Sequence, residues 1–128
     1  LIMFNDGSPL RGDRFVTQKI VRTAHLIKQG KEKSLRLGNT NVFREYNNVN
    51  DIVDAYAKLL TSDLNSEEFN LCSGKSYSVS QIISTLVKIS NHDIEVKMNP
   101  KFVRKNEIVD LKGDPAKLFC FLKFLDVY

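Results

Sequence analysis

Phe4-Asn5-Asp6-Gly7-Ser8-Pro9-Leu10-Arg11-Gly12-Asp13-Arg14-Phe15-Val16-Thr17-Gln18-Lys19-Ile20 is the stretch that decides how this chain is read. A short apolar run, Leu1 to Phe4, stops at Asn5, Asp6, Gly7, Ser8 and Pro9. These are turn-forming residue types, so the run reads as a buried strand that ends in a loop. From Phe15 the spacing becomes helical. Val16, Ile20, Thr23, Ala24 and Ile27 share one face, and the pattern predicts a helix over about 14–29 that stops at Gly30. A strand that feeds a polar loop and then a helix is where α/β proteins bind ligands.

Outward from this stretch, helical and extended patterns alternate. Leu35 and Leu37 flank Arg36 as a short strand before Gly38-Asn39. Residues 39–48 read as loop plus a short strand. Ile52, Val53, Tyr56, Leu59 and Leu60 mark a second helix with Asn50 or Asp51 as its cap. Phe69 to Cys72 is a strand ending at Ser73-Gly74. Ser78 and Gln81 form a capping box that opens a third helix bearing Ile82, Ile83, Leu86, Val87 and Ile89. Ile94, Val96 and Met98 alternate as a strand. Asp114 caps a last helix with Pro115 at its first position and Leu118, Phe121 and Leu122 on its apolar face. The order favours an α/β or mixed α+β fold.

The chain has 128 residues, a length that suits one domain with a real core. It has no apolar run long enough to cross a bilayer and no signal-peptide pattern, and a membrane role is not expected. The formal net charge of +4 is spread over several segments without aromatic interleaving, which argues against nucleic acid. A few positive charges round a diphosphate account for it equally well. The two cysteines, Cys72 and Cys120, lack metal-ligand spacing and read as reduced thiols in a cytoplasmic protein; no metal site is expected. His25 reads as structural and His92, in a polar turn, as solvated. Arg11-Gly12-Asp13 spells an adhesion tripeptide, which is discounted because nothing in the chain suggests secretion.

Five segments in register carry a family resemblance. They are the opening stretch, then Leu37-Gly38-Asn39-Thr40-Asn41-Val42-Phe43-Arg44-Glu45-Tyr46, Asp51-Ile52-Val53-Asp54-Ala55-Tyr56, Phe69 to Val79, and Arg104 to Leu118. Together they resemble GDP-mannose 4,6-dehydratases of the extended short-chain dehydrogenase/reductase superfamily. The Phe69–Val79 wording is similar to the related GDP-4-keto-6-deoxymannose reductases. The resemblance implies the C-terminal, substrate-binding portion of a Rossmann-type nucleotide-sugar enzyme, spanning residues 1–128, without its N-terminal NADP-binding half. The apolar strands near 1–4 and 69–72 would belong to the sheet that half completes, and alone they would expose edges that invite association. A homo-oligomer is expected of the full-length protein.

The resemblance also implies roles. Arg44 and Arg104 match arginines near the nucleotide diphosphate, to which a guanidinium makes paired, charge-assisted bonds. Glu107 matches the acid that accepts from the ribose hydroxyls. Asn5, Val16, Thr17, Lys19, Gly38 and Asn39 complete the substrate pocket, and Arg11 matches a contact to NADP. Several positions depart from the family pattern. Asp6 replaces His, Glu45 replaces Asp, Lys105 replaces Pro, and Lys123-Phe124 replaces Gly-Trp. No catalytic residue is assigned. Hydride chemistry in this superfamily uses a Gly-rich turn and a Tyr-x-x-x-Lys pair, and this chain contains neither. By itself it is therefore expected to be inactive. A reductase or epimerase of another nucleotide sugar is the near alternative. A non-catalytic module, either a nucleic-acid binder or a degenerate interaction domain, is the alternative from another class.

Overall fold

The computed structural model describes residues 1–63 and 66–125, apart from the side chains of Phe124 and Leu125. The departure at Phe124 therefore lies outside the described side chains. The elements run β1 (Ile2–Met3), β2 (Asp6–Gly7), α1 (Val16–Lys28), β3 (Leu35–Leu37), β4 (Phe43–Glu45), β5 (Asn47–Asn48) and α2 (Val49–Leu60). They continue with β6 (Asn70–Leu71), β7 (Ser76–Ser78), α3 (Val79–Ser90), β8 (Val96–Met98), a 3-10 turn (Pro100–Phe102), β9 (Asp110–Leu111) and α4 (Ala116–Leu125). The chain divides into two compact units. One holds Leu1–Ser8, Arg44–Ser76 and Leu111–Tyr128; the other holds Pro9–Phe43 and Tyr77–Asp110.

In the first unit, β1 pairs in parallel with β6, Ile2 opposite Asn70 and Met3 opposite Leu71. β2 pairs in parallel with β5, Asp6 opposite Asn47. Ile52 and Ala55 of α2 pack with Phe69, Leu71 and Leu118 into a core, with Phe121 and Leu122 of α4 against it. The rings of Phe69 and Phe121 lie 5.5 Å apart, tilted as aromatic pairs prefer. The opening strand is not buried as its apolar run predicts: Leu1, Ile2 and Met3 are about half exposed. The reason is that β6 is its one strand partner among the described residues, so its other edge is uncovered.

In the second unit, β3 pairs in parallel with β8, Leu35 opposite Val96 and Leu37 opposite Met98. The alternation at Leu35 and Leu37 is borne out, since both are buried while Arg36 is exposed. They join Ile20, Val42, Val79 and Ile83 in a core that Val16, Ile27, Ile82 and Leu86 flank. Helix α1 ends as Gly30 implies. Gly30 takes φ +71°, and the N–H groups of Gly30 and Lys31 return to the carbonyls of Ile27 and Leu26. Helix α3 opens on the expected capping box: Ser78 Oγ accepts from Gln81 N, and Gln81 Oε1 accepts from Ser78 N.

Two local readings are corrected. Asn48 caps α2, not Asn50 or Asp51; its side chain accepts from Asn50 N at 3.0 Å. Asn48 ends β5 in extended conformation, so the helix starts as soon as the strand stops. Asp51 instead sits in the first turn, where a negative charge suits the helix dipole. His92 is not solvated. It is half-buried, and its Nε2 is shut from solvent without a hydrogen-bond partner.

Candidate functional site

The residues assigned to a nucleotide fall in both units. Asn5 and Arg44 belong to the first; Arg11, Val16, Thr17, Lys19, Gly38, Asn39, Arg104 and Glu107 belong to the second.

In the second unit, Val16, Thr17 and Lys19 occupy the start of α1. That start is open electrostatically. Phe15, the N-cap, makes no side-chain cap bond, and the first turn holds no acid. The N–H groups and the positive end of the helix dipole there suit an anion. Lys19 Nζ stands 3.9 Å from the centre of the Phe102 ring, a cation–π contact. Gly38 ends β3 against the same residue. A Cβ on Gly38 would lie 2.4 Å from the Phe102 carbonyl oxygen, so this approach requires glycine. The turn is tied down by Asn99 N, which donates to the Leu37 carbonyl at 2.7 Å. Lys19, Gly38 and Phe102 therefore form one cluster. Arg104 follows two residues later and is exposed, while Glu107 is half-buried.

Asn39 is partly committed elsewhere, because its Oδ1 accepts from Asn41 N at 2.9 Å. The guanidinium of Arg11 lies 3.7 Å from the Phe15 ring centre. His25 is exposed and hydrogen-bonded to Gln29 four residues on along α1.

In the first unit, the Asn5 carbonyl accepts from Asn47 N at 3.0 Å, which fixes Asn5 between β1 and β2. Arg44 is half-buried on β4. Beside it is the residue that sequence reasoning set aside as a mere departure. Glu45 is fully buried. Its Oε2 accepts from Ser73 N at 2.8 Å and from Ser73 Oγ at 3.2 Å. Its Oε1 accepts from Gly113 N at 2.6 Å. A buried carboxylate must be held in this way, since unpaired it would cost several kcal/mol, of the order of ~3 or more.

Two further groups in this unit have shifted chemistry. Burial, then the Glu45 carboxylate, push the Cys72 thiol up, with Asp114 adding to the rise and the Gly74 N–H opposing it. Burial also pushes the Tyr46 phenol up, against the pull of the Arg44 charge. The Tyr46 hydroxyl makes no hydrogen bond. Phe102 and Glu45 are the residues that sequence reasoning missed. Their partners are remote in sequence, and no local pattern announces such contacts.

Comparison with known proteins agrees with this architecture. The GDP-mannose 4,6 dehydratase family profile matches residues 1–124. The GDP-6-deoxy-D-talose 4-dehydrogenase of Aggregatibacter actinomycetemcomitans is 41% identical over 88 residues, covering 69% of this chain and 30% of that protein. The GDP-mannose 4,6-dehydratase of Vibrio cholerae is 31% identical, covering 91% of this chain and 39% of that protein. Among solved structures, RMD from Pseudomonas aeruginosa complexed with NADPH superposes with a TM-score of 0.82 at 28% identity, covering 92% of this chain and 39% of that one. The chain thus spans roughly a third of the length of these relatives. The fold corresponds to the C-terminal portion of Rossmann-type extended short-chain dehydrogenase/reductases. On the family profile and the identity to the Vibrio cholerae enzyme, the chain belongs to the GDP-mannose 4,6 dehydratase family.

Proposed function

We propose that residues 1–128 are the nucleotide-sugar-binding portion of a GDP-mannose 4,6-dehydratase, which converts GDP-mannose to GDP-4-keto-6-deoxymannose. The observation that carries this reading is the Lys19–Gly38–Phe102 cluster at the acid-free start of α1. A cation, an aromatic ring and a helix start that holds no acid are what a diphosphate and its attached rings need. Arg44 and Arg104 neutralise the diphosphate, and Glu107 accepts from the ribose hydroxyls. Asn5, Val16, Thr17 and Asn39 line the sugar and nucleoside.

NADP would be the cofactor of the whole protein and, when bound, would supply the hydride chemistry at the sugar's C4. This chain's share in that site is one side chain, Arg11, over the Phe15 ring; the Gly-rich turn that holds a pyrophosphate belongs to an N-terminal half. Asp6, where the family has His, adds a negative charge on the cofactor side, which disfavours phosphate there. No helix among the described residues is long and apolar enough to cross a membrane. The family reading, taken by itself, is of a cytoplasmic homo-oligomer.

A second reading, GDP-4-keto-6-deoxymannose reductase or another nucleotide-sugar epimerase, is favoured by the identity to the talose 4-dehydrogenase and the superposition on RMD. The two are separated by supplying the full-length protein with NADP and GDP-mannose, or with NADPH and GDP-4-keto-6-deoxymannose. Mass spectrometry of the first mixture should show loss of water from the sugar. NADPH consumption in the second mixture alone supports the reductase.

A further inference from the structure

We propose that Glu45 is a positioning residue, whose buried carboxylate fixes the direction in which Arg44 presents its guanidinium to a nucleotide diphosphate. The inference rests on the reading of Arg44 as a diphosphate contact. Glu45 and Arg44 are neighbours on β4, and successive side chains of a strand point to opposite faces. Glu45 turns inward and is fully buried, so Arg44 is turned away from that anchor. The Arg44 charge acts on the Tyr46 phenol, as expected if the two residues flanking Glu45 share the opposite side.

The anchor has a specific construction. One carboxylate oxygen takes two bonds from Ser73, in the loop after β6, and the other takes one from Gly113, before α4. A single side chain thereby ties two separate segments to β4. The Gly113 N–H reaches Glu45 only because that residue has no side chain. A Cβ there would lie 2.6 Å from the Phe4 ring and 2.7 Å from Cys72 Sγ. The donors are two backbone N–H groups and a hydroxyl, so the carboxylate is used as a two-ended acceptor. Glutamine has the same shape but turns an NH2 against one of the two N–H donors. A shift of β4 that relieves this clash moves Arg44 with it.

The test is a thermodynamic cycle on the full-length protein, with GDP affinity measured by titration calorimetry at fixed salt. The proteins are wild type, Glu45→Gln, Arg44→Ala and the double variant, each checked for folding by thermal unfolding. Glu45→Gln should weaken GDP about tenfold when Arg44 is present and less than about twofold when Arg44 is alanine. If Glu45→Gln does not fold, Ser73→Ala removes one of the three bonds and is run through the same cycle, with a smaller loss that again depends on Arg44. Equal losses in both backgrounds overturn the positioning role and leave the GDP reading standing. An Arg44→Ala variant that binds GDP as tightly as wild type overturns the GDP reading itself, and this inference with it.

Discussion

Cys72 and Cys120 are alike in sequence and opposite in chemistry. Cys72 is buried beside the Glu45 carboxylate, and its thiol is held up, whereas Cys120 is exposed on α4. A thiol-reactive reagent near neutral pH should label Cys120 rapidly and Cys72 only on unfolding, which peptide mapping will show. The Cys72 and Tyr46 shifts also set a pH dependence. Both groups bind their proton more tightly folded than unfolded, so their contribution is intact below the ordinary thiol and phenol ranges. It is lost as pH rises through the folded values. Urea midpoints should therefore fall as pH rises through and above the ordinary thiol and phenol ranges, and Tyr46→Phe should flatten the upper part of that fall. Because the Tyr46 hydroxyl is buried without a partner, Tyr46→Phe should also be neutral or stabilising by up to about 1 kcal/mol near neutral pH. Site residues were legible here only where a motif named them. Arg44 entered the proposed site through such a motif. The carboxylate beside it was not legible, because its partners at Ser73 and Gly113 are brought to it by folding alone.

At the scale of elements, the helices were legible because their cues are local. Gly30 stops α1, the Ser78–Gln81 box opens α3, and Asp114 Oδ1 accepts from Ala116 N at 2.9 Å at the start of α4. Ser78→Ala removes one side of that box and should cost about 1 kcal/mol, read from the denaturation midpoint. The short strands β7 and β9 and the turn at Pro100–Phe102 were not legible. Two or three residues carry no period, and they are ordered by what they pair with. Gly38 shows how such a contact constrains sequence. Gly38→Ala drives a methyl into the Phe102 carbonyl and should cost about 1–3 kcal/mol of stability. It should also weaken nucleotide binding, because Lys19 rests on the same residue.

At the scale of the whole molecule, the family was legible because five short segments occur in the family's order, and the match extends over residues 1–124. The exposure of β1 was less legible. Leu1, Ile2 and Met3 look like core in sequence but are about half exposed, since among the described residues β6 is the one strand that pairs with β1. The central proposal is that Arg104 and Glu107, both in the second unit, serve one nucleotide. The most direct measurement is titration of GDP and of inorganic diphosphate into the full-length protein and its Arg104→Ala variant at fixed salt. Loss of Arg104 should weaken both ligands by about 1.5–3 kcal/mol, the worth of a hydrogen bond to a charged group. Glu107→Ala should weaken GDP while sparing diphosphate, since the ribose hydroxyls are its partners. Unchanged affinity for GDP in Arg104→Ala would contradict the account.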